Sequence, residues 1–123
     1  MAEGLKRGDV VTIVAPRDYG KPRPAVVVQT DLLNPTHASL VVCPFTTTER
    51  IDAPGFRLEF PASESTGLRL PSQLMVDQIL ALPLNRIGNR IGRLANEDMT
   101  EVDKSLGLVL GLAERGVLEG ATG

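Results

Sequence analysis

The stretch YGKPRPAVVVQTD, residues 19–31, joins a basic, proline-rich loop to an uninterrupted apolar run. Gly20, Pro22 and Pro24 break regular backbone pairing and indicate a loop that ends where the apolar residues begin. The PAVVVQ run then predicts a short strand that is covered on both faces. Arg23 lies between the two prolines, so the sequence places a cation at the entrance of a buried strand.

Short β-branched or alternating segments on either side of this strand predict a series of further strands. In GFRLEF, the alternation predicts the two phenylalanines and the leucine inward, and Arg57 and Glu59 outward. The segment LNRIGNRIGRL, residues 84–94, contains two Ile-Gly pairs and predicts tight bends. The predicted strands cover 9–14, 24–29, 38–45, 55–60 and a fifth segment around 74–76.

The hydrophobic period changes near the C-terminus. From Met99 onward, apolar residues recur at spacings of three and four, which predicts an amphipathic helix with Asn96 as its N-cap. Short strands followed by one helix indicate a mainly β (α+β) fold, a small and strongly bent antiparallel sheet or barrel with a C-terminal helix. We expect one domain over residues 1–115 and a flexible, glycine-rich tail over 116–123.

The composition limits the functions open to this chain. Its 123 residues are 42% hydrophobic and 23% charged with a net charge of -2, which is typical of one soluble globular domain. Aromatic residues make up 3%, so a platform for stacking bases is poorly supplied. One histidine and one cysteine do not make a structural zinc site, and we expect no metal and no cofactor. With neither a signal peptide pattern nor a membrane span, we expect a cytoplasmic protein.

Several segments resemble, in order and spacing, the PemK/MazF-like toxins of bacterial type II toxin–antitoxin systems. They are KRGDVVTIV, KPRPAVVVQTDLLN, VVCPFTTT, LMVDQI and NRIGNRIGRL, and the match runs from about residue 6 to about residue 112. The resemblance implies an SH3-like, CcdB-PemK-like antiparallel barrel with a C-terminal helix.

The same resemblance implies a function and partners. Most members of the family are homodimeric, metal-independent endoribonucleases that cleave single-stranded RNA (mRNA interferases) until a cognate antitoxin covers the site. We therefore expect a sequence-selective endoribonuclease toxin with RNA as substrate. We expect contact with operator DNA only through the antitoxin, and no contact with a membrane.

The resemblance places the family's catalytic arginine and threonine on Arg23 and Thr46. Cleavage without a metal needs a group that stabilises charge on the phosphoryl oxygens, and a rigidly held guanidinium meets phosphate through its planar fork. Thr47 is the alternative to Thr46, because three threonines are consecutive. Asp77 matches an acidic position that assists the acid–base step or positions RNA. The structural alternatives are a solvated arginine, threonines that cap backbone groups and an Asp77 salt bridge.

A further group of residues is expected to bind RNA, although dispersed surface charge is the alternative. Met75 departs from the family, because some relatives place a basic residue near this point, and the departure leaves the general acid unassigned. Cys43 is most simply a small buried hydrophobe and His37 a loop residue. The predicted RNA-binding residues are Arg17, Lys21, Thr47, Gln78 and Arg86.

Two other functions stay open on the sequence. The same fold includes a gyrase-binding, CcdB-like poison that acts through its C-terminal helix and has no catalytic site. The ending LEGATG lacks the aromatic anchors that interface hot spots favour, which counts against this alternative. The other alternative is a catalytically degenerate homologue that acts as an antitoxin-binding partner, and the Met75 departure supports it.

Overall fold

The computed structural model describes residues 4–34, 36–48 and 55–112. These residues form an antiparallel sheet, three short 3-10 turns and one α-helix. The turns are Pro16–Asp18, Val76–Gln78 and Leu84–Arg86. The strands are β1 (Asp9–Ile13), β2 (Arg23–Val27), β3 (Ser39–Thr46), β4 (Arg57–Phe60), β5 (Ser72–Met75), β6 (Leu80–Pro83) and β7 (Ile87–Arg93), and α1 is Asn96–Val109.

Strand β3 belongs to both halves of the sheet. The strand order is β4-β5-β3-β2-β1-β7, and β6 pairs with β3 outside this path. Phe45 and Thr46 pair with β5, whereas the first half of β3, from Ser39 to Val42, pairs with β6. All of these pairings are antiparallel. Within the described residues, a seven-stranded antiparallel sheet followed by one helix confirms the predicted fold class.

The apolar run after Arg23 is buried on both faces, as predicted. Val26 belongs to a core cluster that includes Phe45 and Val102, so the helix packs on this face of the sheet. Ala25 and Val27 belong to a second cluster on the other face. Because β2 lies between β1 and β3 and both its faces are covered, its position and register are strongly fixed. The loop end of β2 is therefore a rigid place for a functional side chain.

The helix is fastened to the sheet by apolar and polar contacts. Val102 is fully buried, and Met99 and Leu106 pack against the same core cluster. The Ser105 hydroxyl donates a 2.6 Å hydrogen bond to the Gly55 carbonyl. The predicted N-cap is wrong by one residue, because Ala95 occupies that position and caps the helix without a side-chain bond. The described part of the chain contains no helix with the length and hydrophobicity needed to cross a membrane.

The segment predicted to form bends is instead strand β7, which pairs with β1. Its glycines allow neighbouring backbone to approach closely. A Cβ on Gly88 would overlap the Thr12 hydroxyl, and one on Gly92 would overlap the backbone of Thr66. The lack of a side chain at these two glycines lets distant segments pack closely. In the sequence alone, such glycines look like turn signals. Strand β6 was not predicted either.

The predicted alternation of β4 is also wrong in part. Phe56, expected inward, is 42% exposed, and Phe60 is buried as expected. The side chain of Arg57, expected outward, is only 8% exposed. It is buried because its guanidinium pairs with the Asp77 carboxylate, which offsets the cost of removing the charge from water. The predicted tail, residues 116–123, lies outside the described residues.

Candidate active site

A groove of about 990 Å³ opens where β2 begins and β3 ends. Both strands are held in the middle of the sheet, so the groove has a rigid floor. Thr12 of β1 and Ile91 of β7 also line it. Its polar lining includes Lys21, Arg23, Thr46, Thr47, Thr48 and Arg69.

Arg23 is held in place at the first position of β2. Its Nη1 donates a 3.1 Å hydrogen bond to the Phe45 carbonyl, and its Nη2 donates a 2.7 Å bond to Asp18 Oδ1. The Phe45 carbonyl directly precedes Thr46 in β3, and both Arg23 and Thr46 line the groove. The two predicted catalytic residues thus lie beside one another. The bonds fix the guanidinium and leave its other N–H groups able to donate to an anion.

Asp18 is a residue that the sequence did not identify. It ends the turn Pro16–Asp18, and the next residue, Tyr19, has a left-handed backbone with φ 53° that reverses the chain toward β2. The Asp18 side chain is 8% exposed, and its Oδ2 is buried with no hydrogen-bond partner among the described residues. The negative charge of the Asp18 carboxylate is therefore balanced by the positive charge of Arg23. No spacing rule relates an acid in such a loop to an arginine five residues later. The sequence therefore contains no pattern that identifies Asp18 as a site residue.

Thr46 ends β3 and pairs with Gln73 of β5. Its hydroxyl oxygen accepts a 3.1 Å hydrogen bond from the Thr48 backbone N–H. This bond uses the oxygen as an acceptor and orients the hydroxyl, whose proton can be donated to a phosphoryl oxygen. Thr47, the alternative to Thr46, also lines the groove.

Two exposed cations lie on the rim of the groove. Lys21, one of the residues predicted to bind RNA, belongs to the loop before β2, and Arg69 belongs to the loop before β5. Arg69 was not predicted, because nothing in its local sequence relates it to residues near position 23. Together with Arg23, these side chains give the groove a positive lining, although the whole chain has a net charge of -2. Such a lining attracts phosphate.

Asp77, Gln78 and Arg86, which were also predicted for the site, are not among the residues that line this groove. Asp77 and Arg57 form a two-bond ion pair, with 2.9 Å from Nε to Oδ1 and 3.4 Å from Nη2 to Oδ2. Gln78 donates a 3.2 Å bond to Asp77. Arg86 is exposed in the turn after β6. Arg17 lies in the turn Pro16–Asp18, and its side chain is outside the described part of the structure.

The pKa of Asp77 lies below its ordinary value. Burial alone raises the pKa of this carboxyl, but the hydrogen bonds from Arg57 and Gln78 and the charge of Arg57 outweigh it. The group is therefore ionised at neutral pH and acts as an anion rather than a proton donor. This arrangement corresponds to the salt bridge that was the structural alternative for Asp77.

The remaining candidates for chemistry have structural surroundings. Burial raises the pKa of the Cys43 thiol to about 12, so the side chain stays a neutral thiol near pH 7. His37 is exposed in the loop before β3. Met75 is buried at the end of β5. Over residues 4–34, 36–48 and 55–112, no group of three histidine, cysteine or acidic side chains is placed to hold a metal ion.

The fold is that of the solved MazF toxins. A mycobacterial endoribonuclease, solved in complex with its cognate antitoxin, matches 88% of this chain and 96% of its own with a TM-score of 0.73 and 22% identity. A MazE–MazF structure from Deinococcus radiodurans matches 88% of this chain and 96% of its own, with a TM-score of 0.70 and 21% identity.

Sequence comparison identifies the family. The model of the PemK-like, MazF-like toxins of type II toxin–antitoxin systems matches residues 6–110. A probable endoribonuclease MazF from Mycolicibacterium smegmatis is 41% identical over 110 residues, which are 89% of this chain and 99% of that protein. The endoribonuclease MazF3 of Mycobacterium tuberculosis is 28% identical over 71% of this chain and 81% of its own. This chain belongs to the PemK-like, MazF-like toxin family, and the predicted family is confirmed.

Proposed function

We propose that this toxin is an endoribonuclease that cleaves single-stranded RNA by attack of a 2′-hydroxyl on the neighbouring phosphorus. The observation that carries the proposal is the Arg23 guanidinium, fixed by Asp18 and the Phe45 carbonyl at the end of β3, where Thr46 stands. The 41% identity to a probable endoribonuclease over nearly its whole length supports the same activity. The comparisons favour this activity over a gyrase-binding poison.

The chemistry assigns a task to Arg23 and a task to Thr46. The 2′-oxygen forms a bond to phosphorus as its proton leaves, and the bond from phosphorus to the 5′-oxygen breaks as that oxygen is protonated. The products are a 2′,3′-cyclic phosphate and a 5′-hydroxyl. Negative charge grows on the non-bridging oxygens, and Arg23 donates to them through the N–H groups that Asp18 and Phe45 leave unused. The Thr46 hydroxyl donates to the same phosphate and holds it in line.

The remaining predicted residues have supporting parts in this proposal. Lys21 and Thr47 line the groove and bind RNA next to the reacting phosphate. Asp77 acts at a distance, because its pair with Arg57 fixes β4 and the turn Val76–Gln78. Gln78 and Arg86, which lie outside the groove lining, stay predicted RNA contacts, and so does Arg17.

We further propose a homodimer and a cognate antitoxin. Two-fold pairs are the commonest assembly, and two copies of so small a chain offer RNA a longer groove than one copy does. The structural relatives from Mycobacterium and Deinococcus were solved with antitoxins, which supports an antitoxin partner for this toxin. A segment that folds over the cation-lined groove would block the substrate site.

The test is cleavage of a long single-stranded RNA in EDTA by the wild type and by Arg23→Lys. Lysine keeps the charge but cannot form the fork, so we expect discrete cuts by the wild type and a loss of roughly 100-fold or more in the variant. Lys104→Ala is the control, because it removes one positive charge from an exposed helix position. Intact RNA with the wild type would contradict the proposal. Growth arrest by the Arg23→Lys variant at full strength would instead favour the gyrase-binding poison.

A further inference from the structure

A second pocket adjoins the groove where β4 ends and β5 begins. Its volume is about 570 Å³, which lies in the range of ligand pockets, roughly 300–1,000 Å³. It shares Thr47 and Ser72 with the groove that holds Arg23, so the two form one continuous surface. Its wall includes Glu59, the exposed prolines Pro61 and Pro71, and Gln73.

Strand pairing relates Glu59 to the proposed catalytic residues. Thr46 pairs with Gln73, and Gln73 pairs in turn with Glu59. Directly paired residues project from the same face of a sheet, so these side chains form one row across β3, β5 and β4. Glu59 is two strands away from Thr46, roughly 10 Å at the usual strand spacing. A nucleotide next to the reacting phosphate can span that distance.

The charges assign different parts of RNA to the groove and to the pocket. The groove has Lys21, Arg23 and Arg69, which attract phosphate. The described lining of the pocket contains no lysine or arginine, and its charged group is the Glu59 carboxylate, which repels phosphate. A ligand of this pocket must therefore offer hydrogen-bond donors. A nucleobase does so, and its flat apolar faces suit walls formed by the two prolines.

We propose that the Glu59 carboxylate reads the pairing edge of the base next to the cleaved phosphodiester and selects a base with an exocyclic amino group. Guanine fits best, because its N1–H and N2–H groups point in parallel at the two carboxylate oxygens. Cytosine and adenine offer their amino groups alone. Uracil is rejected, because its N3–H is flanked by two carbonyl oxygens that repel the carboxylate. This selectivity rests on the endoribonuclease activity proposed above.

The experiment compares wild type, Glu59→Gln and Glu97→Gln on RNAs that differ by one base at a time on each side of the cut. Glu97→Gln is the matched control, because it removes the same charge at an exposed position in the first turn of α1. At one flanking position, we expect the wild type and the control to have a kcat/KM for guanine about tenfold or more above that for uracil. Glutamine both donates and accepts, so Glu59→Gln should lose most of this preference at that position alone.

A second substrate tests whether Glu59 recognises the exocyclic amino group of the base. Hypoxanthine lacks the 2-amino group of guanine, so placing it at the selected position should lower wild-type cleavage and leave the Glu59→Gln variant almost unchanged. The proposed role of Glu59 in base selection is overturned if Glu59→Gln keeps the wild-type base preference, or if it slows cleavage equally with all four bases. Wild-type protein that cleaves no RNA would overturn the proposed activity and the subsite with it, so the two failures are distinguishable.

Discussion

The Arg23 guanidinium and the Asp18 carboxylate form an ion pair at 2.7 Å in which the acid is much more buried than the base, with exposed side-chain fractions of 8% and 30%. The pair joins a turn of the loop to the first residue of a buried strand. Because the acid is removed from water, the pair is screened less than a surface pair and restrains the arginine more firmly. The position of Arg23 thus depends on a residue from the loop rather than on the strand alone.

Asp18→Asn should therefore affect both activity and stability. The amide oxygen can still accept one bond from Arg23, but the charge attraction is lost, so we expect cleavage to slow by roughly tenfold and the free energy of unfolding to fall by about 1–2 kcal/mol. RNA cleavage and urea unfolding measure the two effects. Asp103→Asn is the matched control, because its pair with Arg7 is more exposed and should contribute less than about 1 kcal/mol. Equal losses in both variants would contradict the special role of Asp18.

The Thr46 hydroxyl should be required for cleavage but not for folding. Thr46→Val keeps the shape and the β-branch and removes the group that donates to phosphate, so we expect kcat to fall by roughly 100-fold with a small change in KM. Thr46→Ser restores a hydroxyl and should recover most of the activity. Steady-state cleavage of one short RNA separates kcat from KM. A fully active valine variant would transfer the role to Thr47.

The rim cations Lys21 and Arg69 should bind phosphates rather than the reacting atoms. Removing one phosphate contact lowers the slope of log affinity against log salt concentration by about one unit. Lys21→Gln and Arg69→Gln should each do so in binding measurements on a non-cleavable RNA analogue with a 2′-deoxy linkage. Lys104→Gln should leave the slope unchanged, because that residue lies on the exposed helix surface beside Glu101. An unchanged slope in the Arg69 variant would remove that residue from the RNA path.

The ion pair of Asp77 and Arg57 should make part of the stability depend on pH. Burial raises the Asp77 pKa, but the hydrogen bonds and the Arg57 charge together lower it by a larger amount. The folded pKa therefore lies below the unfolded one. Its contribution is therefore complete above the unfolded pKa, near 3.8, and is lost as pH falls through the folded value. Asp77→Asn should thus cost stability at pH 7, and the difference from wild type in urea unfolding should shrink on acidification. A difference independent of pH would contradict this assignment.

Gly92 should be intolerant of any side chain. A Cβ there would overlap the backbone of Thr66 and Ser65, which cannot move as a side chain can. We expect Gly92→Ala to lower the free energy of unfolding by about 1–3 kcal/mol. Gly4→Ala is the control, because a Cβ at Gly4 meets nothing within 4 Å. Thermal unfolding of both variants checks the prediction, and equal stability would mean that the Thr66 loop rearranges freely.

The sequence predicted those parts of the molecule that depend on local pattern. The apolar run after Arg23 indicated a strand buried on both faces, and the changed period after residue 95 indicated the helix. The resemblance to the toxin family directed attention to Arg23 and Thr46, which the structure places in one groove. Their catalytic roles stay predictions.

The missed features depend on contacts between distant residues. The Ile-Gly pairs of β7 look like turns, because the reason for Gly92 is the approach of Thr66, which is far away in sequence. Arg57 was expected outward because strand alternation alone does not show that Asp77 would neutralise it. Asp18 reaches Arg23 from one loop and Arg69 lines the groove from another, and composition does not specify the paths of loops.

The pairing of β1 with β7 has a consequence for how the toxin is made. Asp9 binds Arg93 across 84 positions of sequence, and the groove needs Thr12 of β1 and Ile91 of β7 on its walls. During translation the N-terminal strand leaves the ribosome long before its partner exists, so the sheet is incomplete until most of the chain has emerged. Closing so long a loop delays the final pairing further. The groove is therefore completed only after β7 has left the ribosome, so a nascent chain that ends before β7 has no finished groove.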